Sequence, residues 1–355
     1  MTYLRRTPYI IILLSITVWC LFFIPLRAGA DDDIARRMGT VTLYMENDFF
    51  YKTDRQYTHG TKISWISPDL SSYRDDPHMP SWSYPIIKNL PFINDPGYQR
   101  SISFSLGQNI YTPEEIERSD LIRDDRPYAG ITYLAIGFHS KNDRRMDTLE
   151  FDAGIVGPHS YAENVQRVIH QWVAATDPQG WEHQLNDEPF INMFFERKWR
   201  LFREECSGGL GFDFIPHIGA GIGNAFTLAS TGGELRLGWH LPNDFGTYII
   251  TPGSDNNAPL DDADSKLYSI LHRAGAHFFF AVNGSAVARN ILLDGNTFRD
   301  SHSVDKKHFV ACFVGGIGFM AGRFKITYSH VYQTKEFETQ EKEQQYGAIS
   351  LSRTF

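Results

Sequence analysis

The stretch Gly322–Tyr332, GRFKITYSHVY, decides the fold of this chain. Large apolar side chains alternate with polar ones along it. The apolar positions are Phe324, Ile326 and Tyr328, and the polar positions are Arg323, Lys325 and Thr327. Successive side chains on a strand point to opposite faces, so this strand has one apolar and one polar face. Residues 41–46, VTLYME, repeat the pattern. Apolar residues that face lipid and polar residues that face a lumen are typical of a transmembrane β-barrel.

Twelve segments can be read as strands of this kind. They are Gly39–Asn47, Tyr57–Ser67, Ser101–Gln108, Tyr128–His139, Asp147–Val156, Phe190–Phe202, Gly209–Ala220, Thr231–His240, Gly275–Asn283, His308–Met320, Gly322–Tyr332 and Tyr346–Phe355. The number is even, as in closed bacterial barrels, and no apolar stretch after residue 30 is long enough for a membrane helix. The sequence therefore predicts an all-β fold, a twelve-stranded antiparallel transmembrane β-barrel over residues 31–355. A soluble β-sandwich is the alternative.

The N-terminus predicts export. Arg5 and Arg6 give a basic start, residues 9–25 form an apolar run, and the sequence A-G-A at 28–30 offers a cleavage site of small residues. This layout is typical of a secretory signal peptide over residues 1–30. A membrane anchor that is not cleaved is the alternative, because the apolar run approaches the length of a spanning helix.

The predicted location is the bacterial outer membrane. Phe355 closes an alternating last strand, and a terminal aromatic of this kind resembles the signal that the barrel-assembly machinery reads. Three arginines leave with the leader, so the net charge falls from −8 to −11. This acidic balance argues against nucleic acid, which binds a basic face. Export permits a disulfide between Cys206 and Cys312, but the sequence does not show that one forms.

Strand parity predicts which connections share a rim. If the N-terminus starts in the periplasm, the extracellular connections lie near residues 48–56, 109–127, 157–189, 221–230, 284–307 and 333–345. Several of them are long, as expected for outer-membrane barrels. Two connections predicted to be periplasmic, near 68–100 and 241–274, are also long, which breaks the rule of short periplasmic turns.

One short helix is predicted on the extracellular side. The strand LEFDAGIVG at 149–157 is broken at Gly157 and Pro158, and the following SYAENVQRVIHQWV at 160–173 has helical periodicity. Gln166 and His170 are four residues apart, so they share one face of this helix. Imidazole titrates near neutral pH, so a histidine here could take a proton from water. A structural role is the alternative.

A second group of candidate residues joins the first two strands. Asn47 and Asp48 end strand one and Thr58 begins strand two, so a hairpin brings them together. A carboxylate with loop carbonyls suits a hard cation such as Ca²⁺. Ordinary turn chemistry is the alternative, because Asn and Asp favour turns.

Two further polar segments are predicted at the same rim. The first contains Asp124, Asp125 and Arg126, and Arg126 could bind a phosphate bidentately. A surface ion pair that stabilises the loop is the alternative. The second segment, LDGNTFRDSHSVDKK at 293–307, contains Asp294, Arg299, Asp300 and His302.

These blocks carry a resemblance to a known family. The blocks ENDFF, TDRQYTHG, GQNIYTP, DDRPYAG, GIVGPHS with Q-x-x-x-H, PQGWEHQLNDEP and LDGNTFRDSHSVDKK span residues 46–307. Together they look like the outer-membrane lipid A 3′-O-deacylase family. The resemblance implies a twelve-stranded barrel that removes the 3′-acyloxyacyl group of lipid A with Ca²⁺, by chemistry similar to that of calcium-dependent phospholipase A2.

The resemblance also implies roles for single residues. His170 matches the catalytic base and Gln166 its partner on the helix, while Asn47 and Thr58 match polar catalytic positions. Asp48 matches the likely calcium ligand. Arg126 matches a D-R pair, with a role in positioning the site or in binding lipid A phosphate. Family members hold lipid phosphates with basic residues before that pair, which Arg118 and Arg123 match loosely.

Three alternative functions remain open at this stage. An outer-membrane phospholipase would use a Ser–His pair on the lipid-facing wall, and Ser64 would then matter more than Asp48. A non-enzymatic channel is possible for a barrel of this size, although nothing marks a selectivity ring. A family member that serves as an adhesin or scaffold is the third. No G-x-S-x-G elbow occurs, so a serine acyl-enzyme of that type is disfavoured.

Overall fold

The structure is a computed structural model that describes residues 39–48, 56–70, 84–90, 97–173, 175–247, 250 and 274–354. The predicted leader at 1–30 and the terminal Phe355 lie outside the described residues, so both remain predictions. None of the described helices has the length and apolar character to cross a membrane.

Antiparallel strands make up most of the described chain. They are β1 (Thr40–Asn47), β2 (Gln56–Ile66), β3 (Gln99–Thr112), β4 (Ala129–Lys141), β5 (Arg145–Val156), β6 (Glu188–Trp199), β7 (Phe202–Glu205), β8 (Leu210–Gly223), β9 (Phe226–Trp239), β10 (Gly275–Asn290), β11 (Phe309–Ala321), β12 (Phe324–Gln333) and β13 (Gln344–Thr354). Three described helices accompany them, namely α1 (Tyr84–Ile87), α2 (Ala162–Val173) and α3 (Ile291–Asp294).

The sheet closes on itself into a barrel. Apart from β6 and β7, each strand pairs with its sequence neighbours, β1 pairs with β13, and β6 pairs with β8. Arg200 and Leu201 interrupt one long strand, whose two parts, β6 and β7, both pair with β8. The thirteen segments therefore form twelve wall strands, and the predicted twelve-stranded antiparallel barrel is confirmed.

Some predicted connections are shorter than the sequence suggested. The connection predicted near 221–230 is a tight turn at Asn224 and Ala225, and β10 continues to Asn290 instead of ending at residue 283. Small residues dominate these segments, so they show little alternation. Backbone hydrogen bonds form the ladder without help from large side chains, and the strands therefore extend.

The two faces of the wall have opposite polarity, as predicted. Large apolar side chains are exposed on the outer face, among them Phe104, Leu134, Phe280, Phe324 and Ile326. Polar side chains are buried on the inner face, among them Ser103, Lys325, Thr327 and Ser350. A water-soluble protein has the reverse arrangement, so the outer surface suits lipid.

The chain after β9 enters the lumen. We call residues 241–247 and Ile250 the lumenal segment. Its Asp244 carboxylate accepts hydrogen bonds from Arg236 of β9 and from Lys325 Nζ of β12, the latter at 2.6 Å. Arg236 also forms two bonds to Asp213 of β8, at 2.8 and 2.6 Å. These four charges are buried and mutually compensated, which keeps the cost of removing them from water low.

The lumenal segment also crosses the barrel. The backbone N–H of Ile250 donates to the Glu46 carboxylate, near the far end of β1. Four strands separate β1 from β9 around the wall, so the segment spans the interior between them. The connection near 241–274, predicted to be periplasmic, therefore places its described part inside the lumen. The segment is held in the lumen because the buried polar groups of the inner wall need hydrogen-bond partners.

We call the ion pairs of Asp244 with Arg236 and Lys325 the latch, and we expect them to resist acid. Burial by itself raises the pKa of the Asp244 carboxyl, but the Lys325 and Arg236 cations outweigh it and hold that pKa well below its ordinary value. Because the Asp244 pKa is lower in the folded state, the ionised carboxylate stabilises the fold fully above its unfolded-state pKa of about 4. This stabilisation is lost as the pH falls through the folded-state pKa. The latch is therefore expected to hold from neutral pH to about pH 4.

We predict that the lumenal segment closes the barrel to ions. Asp244→Ala would leave Arg236 and Lys325 without their shared carboxylate, and breaking such a buried pair costs roughly 3–5 kcal/mol. The wild-type protein should be silent in planar bilayers from pH 7 to pH 4, and Asp244→Ala should show openings. Asp300→Ala, in an exposed loop, is the control. Steady wild-type conductance would contradict the closure.

Candidate functional site

Helix α2 lies against the outside of the barrel wall. Phe104 and Leu106 of β3 are exposed on the outer face, and strand alternation puts Gln108, Ile110 and Thr112 on that same face. Ile110 is nevertheless fully buried, because it packs in a cluster with Ala162 of α2, Tyr128 and Trp181. The helix therefore covers the outer face near one end of β3 and β4. We call this end, where β1 joins β2 and β3 joins β4, the upper rim.

Short polar contacts fix the start of α2 on the wall. The Ser160 carbonyl accepts hydrogen bonds from Gln108 Nε2 at 2.7 Å and from Thr132 Oγ1 at 2.8 Å. Gly130 allows the close approach, since a Cβ atom there would lie 2.1 Å from Ala162 Cβ. The helix is thus seated directly on the strand backbone.

A further contact ties the turn before α2 to the connection that follows it. Asp187 accepts bonds from the His159 backbone N–H at 2.8 Å and from His159 Nδ1 at 2.5 Å. Partial burial raises the pKa of the Asp187 carboxyl, but the two His159 bonds outweigh it and leave the pKa below its ordinary value. Tyr161 then turns the chain into α2 with a φ of 58°, an uncommon value for a residue with a side chain.

Gln166 lies on the inner side of α2 and is 1% exposed. Its Oε1 accepts a hydrogen bond of 2.7 Å from the indole Nε1 of Trp181. Its Nε2 is buried and has no hydrogen-bond partner among the described residues. Buried polar groups are nearly always paired, so an orphan donor in this position marks a place where a ligand atom can bind. Sequence reasoning did not single out Trp181.

His170 follows one turn later on the same helix face and is 5% exposed. Its Nδ1 lies 2.5 Å from the carbonyl oxygen of Thr176. Because a carbonyl can only accept, Nδ1 carries the proton, and Nε2 of the neutral ring then carries the lone pair. The ring has the tautomer that a general base requires.

The hairpin of β1 and β2 presents the second group of predicted residues. Asn47 pairs with His59 in the register, and its Nδ2 lies 3.2 Å from His59 Nδ1. His59 Nε2 in turn lies 2.7 Å from Thr61 Oγ1. Asp48 follows directly and has 2% exposure. Asn47 shares the outer face with Met45, which is exposed.

A β-bulge places Thr58. The pairing of β2 with β3 shifts between Tyr57 and His59, so Thr58 is the extra residue. Its Oγ1 lies 2.8 Å from Thr112 Oγ1, on the outer face. Bulges redirect side chains in this way and are common beside functional sites. Gln56, just before, has a φ of 68°, a second strained backbone position near this group.

Arg126 lies in the connection over the lumen. Its guanidinium is fully buried, stacks 4.6 Å from the Tyr111 ring and donates to Glu336 Oε2 at 3.0 Å. Asp125 beside it accepts from Gln56 Nε2 at 3.1 Å, and the Asp125 carbonyl lies 2.7 Å from His302 Nε2. The polar segments predicted at one rim therefore do meet there.

The barrel brings most of the predicted residues to one face. Asn47 and Thr58 lie on the outer face of β1 and β2, and α2 holds Gln166 and His170 against β3 and β4, the next strands around the wall. Arg126 belongs to the loops above the lumen. Within the described residues, no three His, Cys, Asp or Glu side chains converge as a metal site.

Two other residues of interest lie away from this face. Ser64 points into the lumen, where its Oγ accepts a hydrogen bond of 3.1 Å from Ser105 Oγ, and it is buried. It cannot be a lipid-facing nucleophile in this arrangement. Cys206 is exposed and Cys312 is buried, and both are free thiols, so the disulfide that export would permit is not formed.

Comparison with known proteins agrees with this architecture. The family profile described as "Outer membrane protein LpxR" matches residues 14–355. LpxR from Salmonella typhimurium has a similar structure, with a TM-score of 0.68 and 17% identity over 89% of this chain and 100% of that one. At this identity the likeness supports the fold alone. No curated protein matches the sequence.

Other solved barrels are more distant. The β domain of the Bordetella autotransporter BrkA gives a TM-score of 0.41 at 8% identity, over 90% of this chain and 98% of that one. The NanC porin gives 0.35 at 6% identity, over 88% and 98%. The family match and the barrel together place the chain in the bacterial outer membrane.

We predict that the seat of α2 on the wall is required for the site but not for the barrel. Gly130→Ala places a methyl group against Ala162 and should lift the helix start by more than an ångström. Heat-modifiable mobility on gels should still report a folded barrel, while limited proteolysis should cut more readily in residues 157–187. Gly315→Ala is the matched control, because a Cβ there meets no atom within 4 Å. Equal proteolysis of the two variants would contradict the prediction.

Proposed function

Because the chain belongs to the family described as outer membrane protein LpxR, we propose that it hydrolyses the 3′-acyloxyacyl ester of lipid A in the outer leaflet. The observation that carries the proposal is the position of Gln166 and His170. They are polar groups buried between a helix and the lipid-facing side of the barrel wall. A polar site on the lipid-facing side of the wall suits a substrate that is itself part of the membrane.

The outer side of α2 supports a location at the membrane interface. Tyr161 and Trp172 are exposed, at 63% and 49%. Tyr and Trp are enriched where hydrocarbon meets head groups, since their rings have an apolar body and a polar edge. The acyl chains of the substrate could then stay in an apolar environment while the ester reaches the site.

His170 is the proposed general base. Its Nε2 lone pair removes a proton from a water molecule, directly or through a second water, as the water oxygen attacks the ester carbonyl carbon. The tetrahedral intermediate then expels the sugar alkoxide, which takes the proton back from the imidazolium. The Thr176 carbonyl holds Nδ1–H throughout and stabilises the charged ring.

Gln166 is the proposed oxyanion donor. Its Nε2 is the one buried donor on the base's helix face without a partner among the described residues. A donor that is fixed before the reaction stabilises the developing negative oxygen without reorganisation. Asn47 and Thr58 are proposed to orient the water or the ester from the adjacent strands.

Ca²⁺ is the proposed cofactor, with Asp48 as its carboxylate ligand. The nearby side chains of Asn47 and Thr58 offer neutral oxygens, and a set made only of oxygens suits Ca²⁺. Calcium bound there would supply Lewis-acid polarisation of the ester carbonyl. For Arg126 we propose a positioning role in the β3–β4 connection, because its buried guanidinium stacks on Tyr111 and donates from Nη1 to Glu336.

The alternatives fit less well. A phospholipase with Ser64 as nucleophile needs a serine on the outer face, and Ser64 faces the lumen. A channel needs an open lumen, whereas the described part of the connection after β9 lies inside it, where Asp244 pairs with Arg236 and Lys325. An adhesin or scaffold gives no reason for an oriented base beside an orphan donor.

We predict that His170→Gln abolishes deacylation. Removal of a general base lowers turnover by about 10²- to 10⁴-fold. Mass spectrometry of purified lipid A incubated with refolded protein would measure the loss of one acyloxyacyl group. His308→Gln is the matched control, since the exposed His308 also places Nδ1 near a backbone carbonyl, that of Val287 at 3.1 Å. Full activity of His170→Gln, or an inactive wild-type protein, would overturn the proposal.

We predict that the reaction stops in chelator and that Asp48→Asn raises the calcium concentration needed for half-maximal turnover. Calcium should also raise the unfolding temperature of the wild-type protein, because a ligand that binds only the folded state stabilises it. Asp48→Asn should lose this shift, and Asp300→Asn should keep it. Activity that persists in chelator would remove calcium from the proposal.

A further inference from the structure

Trp181 lies in the β5–β6 connection at the upper rim and is buried against the β3–β4 connection. It begins a single helical turn, Trp181–His183, and is 1% exposed. Its ring lies 5.0 Å from that of Tyr128, whose hydroxyl donates to the Ile116 carbonyl at 3.2 Å. Gly180 permits this packing, because a Cβ atom there would lie 2.5 Å from Tyr128 Cε2. The indole is thus packed in a buried cluster with Tyr128, Ile110 and Ala162.

The indole determines which way the Gln166 amide points. An indole N–H can donate a hydrogen bond and cannot accept one, whereas an amide offers one accepting oxygen and two donor hydrogens. With Trp181 Nε1 at 2.7 Å, the amide oxygen must face the indole. The reverse orientation would bring two donors together. Nε2 is therefore fixed on the side of the amide that faces away from the indole.

This orientation matters because Nε2 has no hydrogen-bond partner among the described residues. A buried donor without an acceptor is unfavourable, and turning the amide would not relieve it, because Nε2 would then face the indole N–H. The Trp181 bond prevents that rotation. The protein therefore holds an unpaired donor in place before any substrate arrives, one helical turn from His170.

We infer that Trp181 is a positioning residue of the proposed hydrolase, which orients the Gln166 amide so that Nε2 donates to the ester oxygen as it becomes an oxyanion. The inference rests on the proposed function. Trp181 does not touch the reacting atoms. It acts only through Gln166. Its effect is on the hydrogen bond from Gln166 Nε2 in the transition state, where the negative charge on the ester oxygen is largest.

Trp181→Phe tests this role, since it keeps an aromatic ring against Tyr128 and removes the N–H. The Gln166 amide is then free to turn and can present its oxygen to the developing oxyanion. We expect kcat for lipid A deacylation to fall about 10- to 100-fold, with KM changed by less than about threefold. Trp239→Phe is the matched control, because Trp239 also donates its indole N–H, to the Gly208 carbonyl at 2.9 Å, near the opposite rim.

A double variant separates positioning from simple destabilisation. If Trp181 acts through Gln166, Trp181→Phe combined with Gln166→Ala should be no slower than Gln166→Ala alone. If Trp181 only supports the fold, the two losses should multiply. Two outcomes would overturn the inference and leave the proposed function intact, provided that the wild-type protein deacylates lipid A. The first is an unchanged kcat in Trp181→Phe, and the second is a double variant in which the two single losses of kcat multiply. An inactive wild-type protein would overturn the proposed function itself.

The hydrogen bond can also be tested without activity. In protein labelled with ¹⁵N-tryptophan, the Trp181 indole resonance is identified by its absence in Trp181→Phe. Gln166→Ala should move this resonance and leave that of Trp239 in place. An unmoved Trp181 resonance would show that the indole does not bind the Gln166 amide and would overturn the inference.

Discussion

The whole structure depends on one constraint, which is that a backbone in hydrocarbon must satisfy its own hydrogen bonds. The ladder from β1 around to β13, with the additional pairing of β6 to β8, leaves the barrel without an open edge. Closure also fixes two unlike surfaces. The outer face can be apolar because it meets lipid, and the inner face must be polar or filled. Both the latch in the lumen and the helix on the wall are responses to these surfaces.

Inside the barrel, burial creates a demand for partners. Arg236, Asp213 and Lys325 are buried and point from different strands into the interior, and each is costly unless it is paired. Asp244 meets this need by entering from the connection after β9. The chain that enters with it reaches Glu46 on the opposite side. A segment that would look like a long loop is therefore part of the interior.

On the outer face of the barrel, local departures from regular backbone geometry shape the candidate site. A bulge at Thr58 redirects its side chain, and Gln56 and Tyr161 adopt backbone angles that residues with side chains seldom adopt. Gly130 lets α2 approach the wall at backbone distance. Strain of this kind persists only where the surrounding structure holds it, and here the surrounding structure is a rigid ladder. The proposed catalytic pair, Gln166 and His170, is thus mounted on the hydrogen-bonded wall of the barrel.

The sequence alone determined the elements whose pattern is local. Alternation in strands such as Gly322–Tyr332 predicted the wall and its two faces, because a period of two depends only on neighbouring residues. The spacing of Gln166 and His170 predicted a shared helix face for the same reason. What alternation could not predict was the length of strands rich in small residues, such as the continuation of β10 to Asn290, where the backbone alone makes the ladder.

The tertiary structure decided everything that joins residues distant in the chain. The bond from Trp181 to Gln166, the carbonyl of Thr176 at His170, and the inward direction of Ser64 have no local signature. They arise because strand register, a bulge and two long connections converge on one rim. Periodicity can state which side chains share a face, but only closure of the barrel determines which faces meet, since that depends on contacts between residues far apart in sequence.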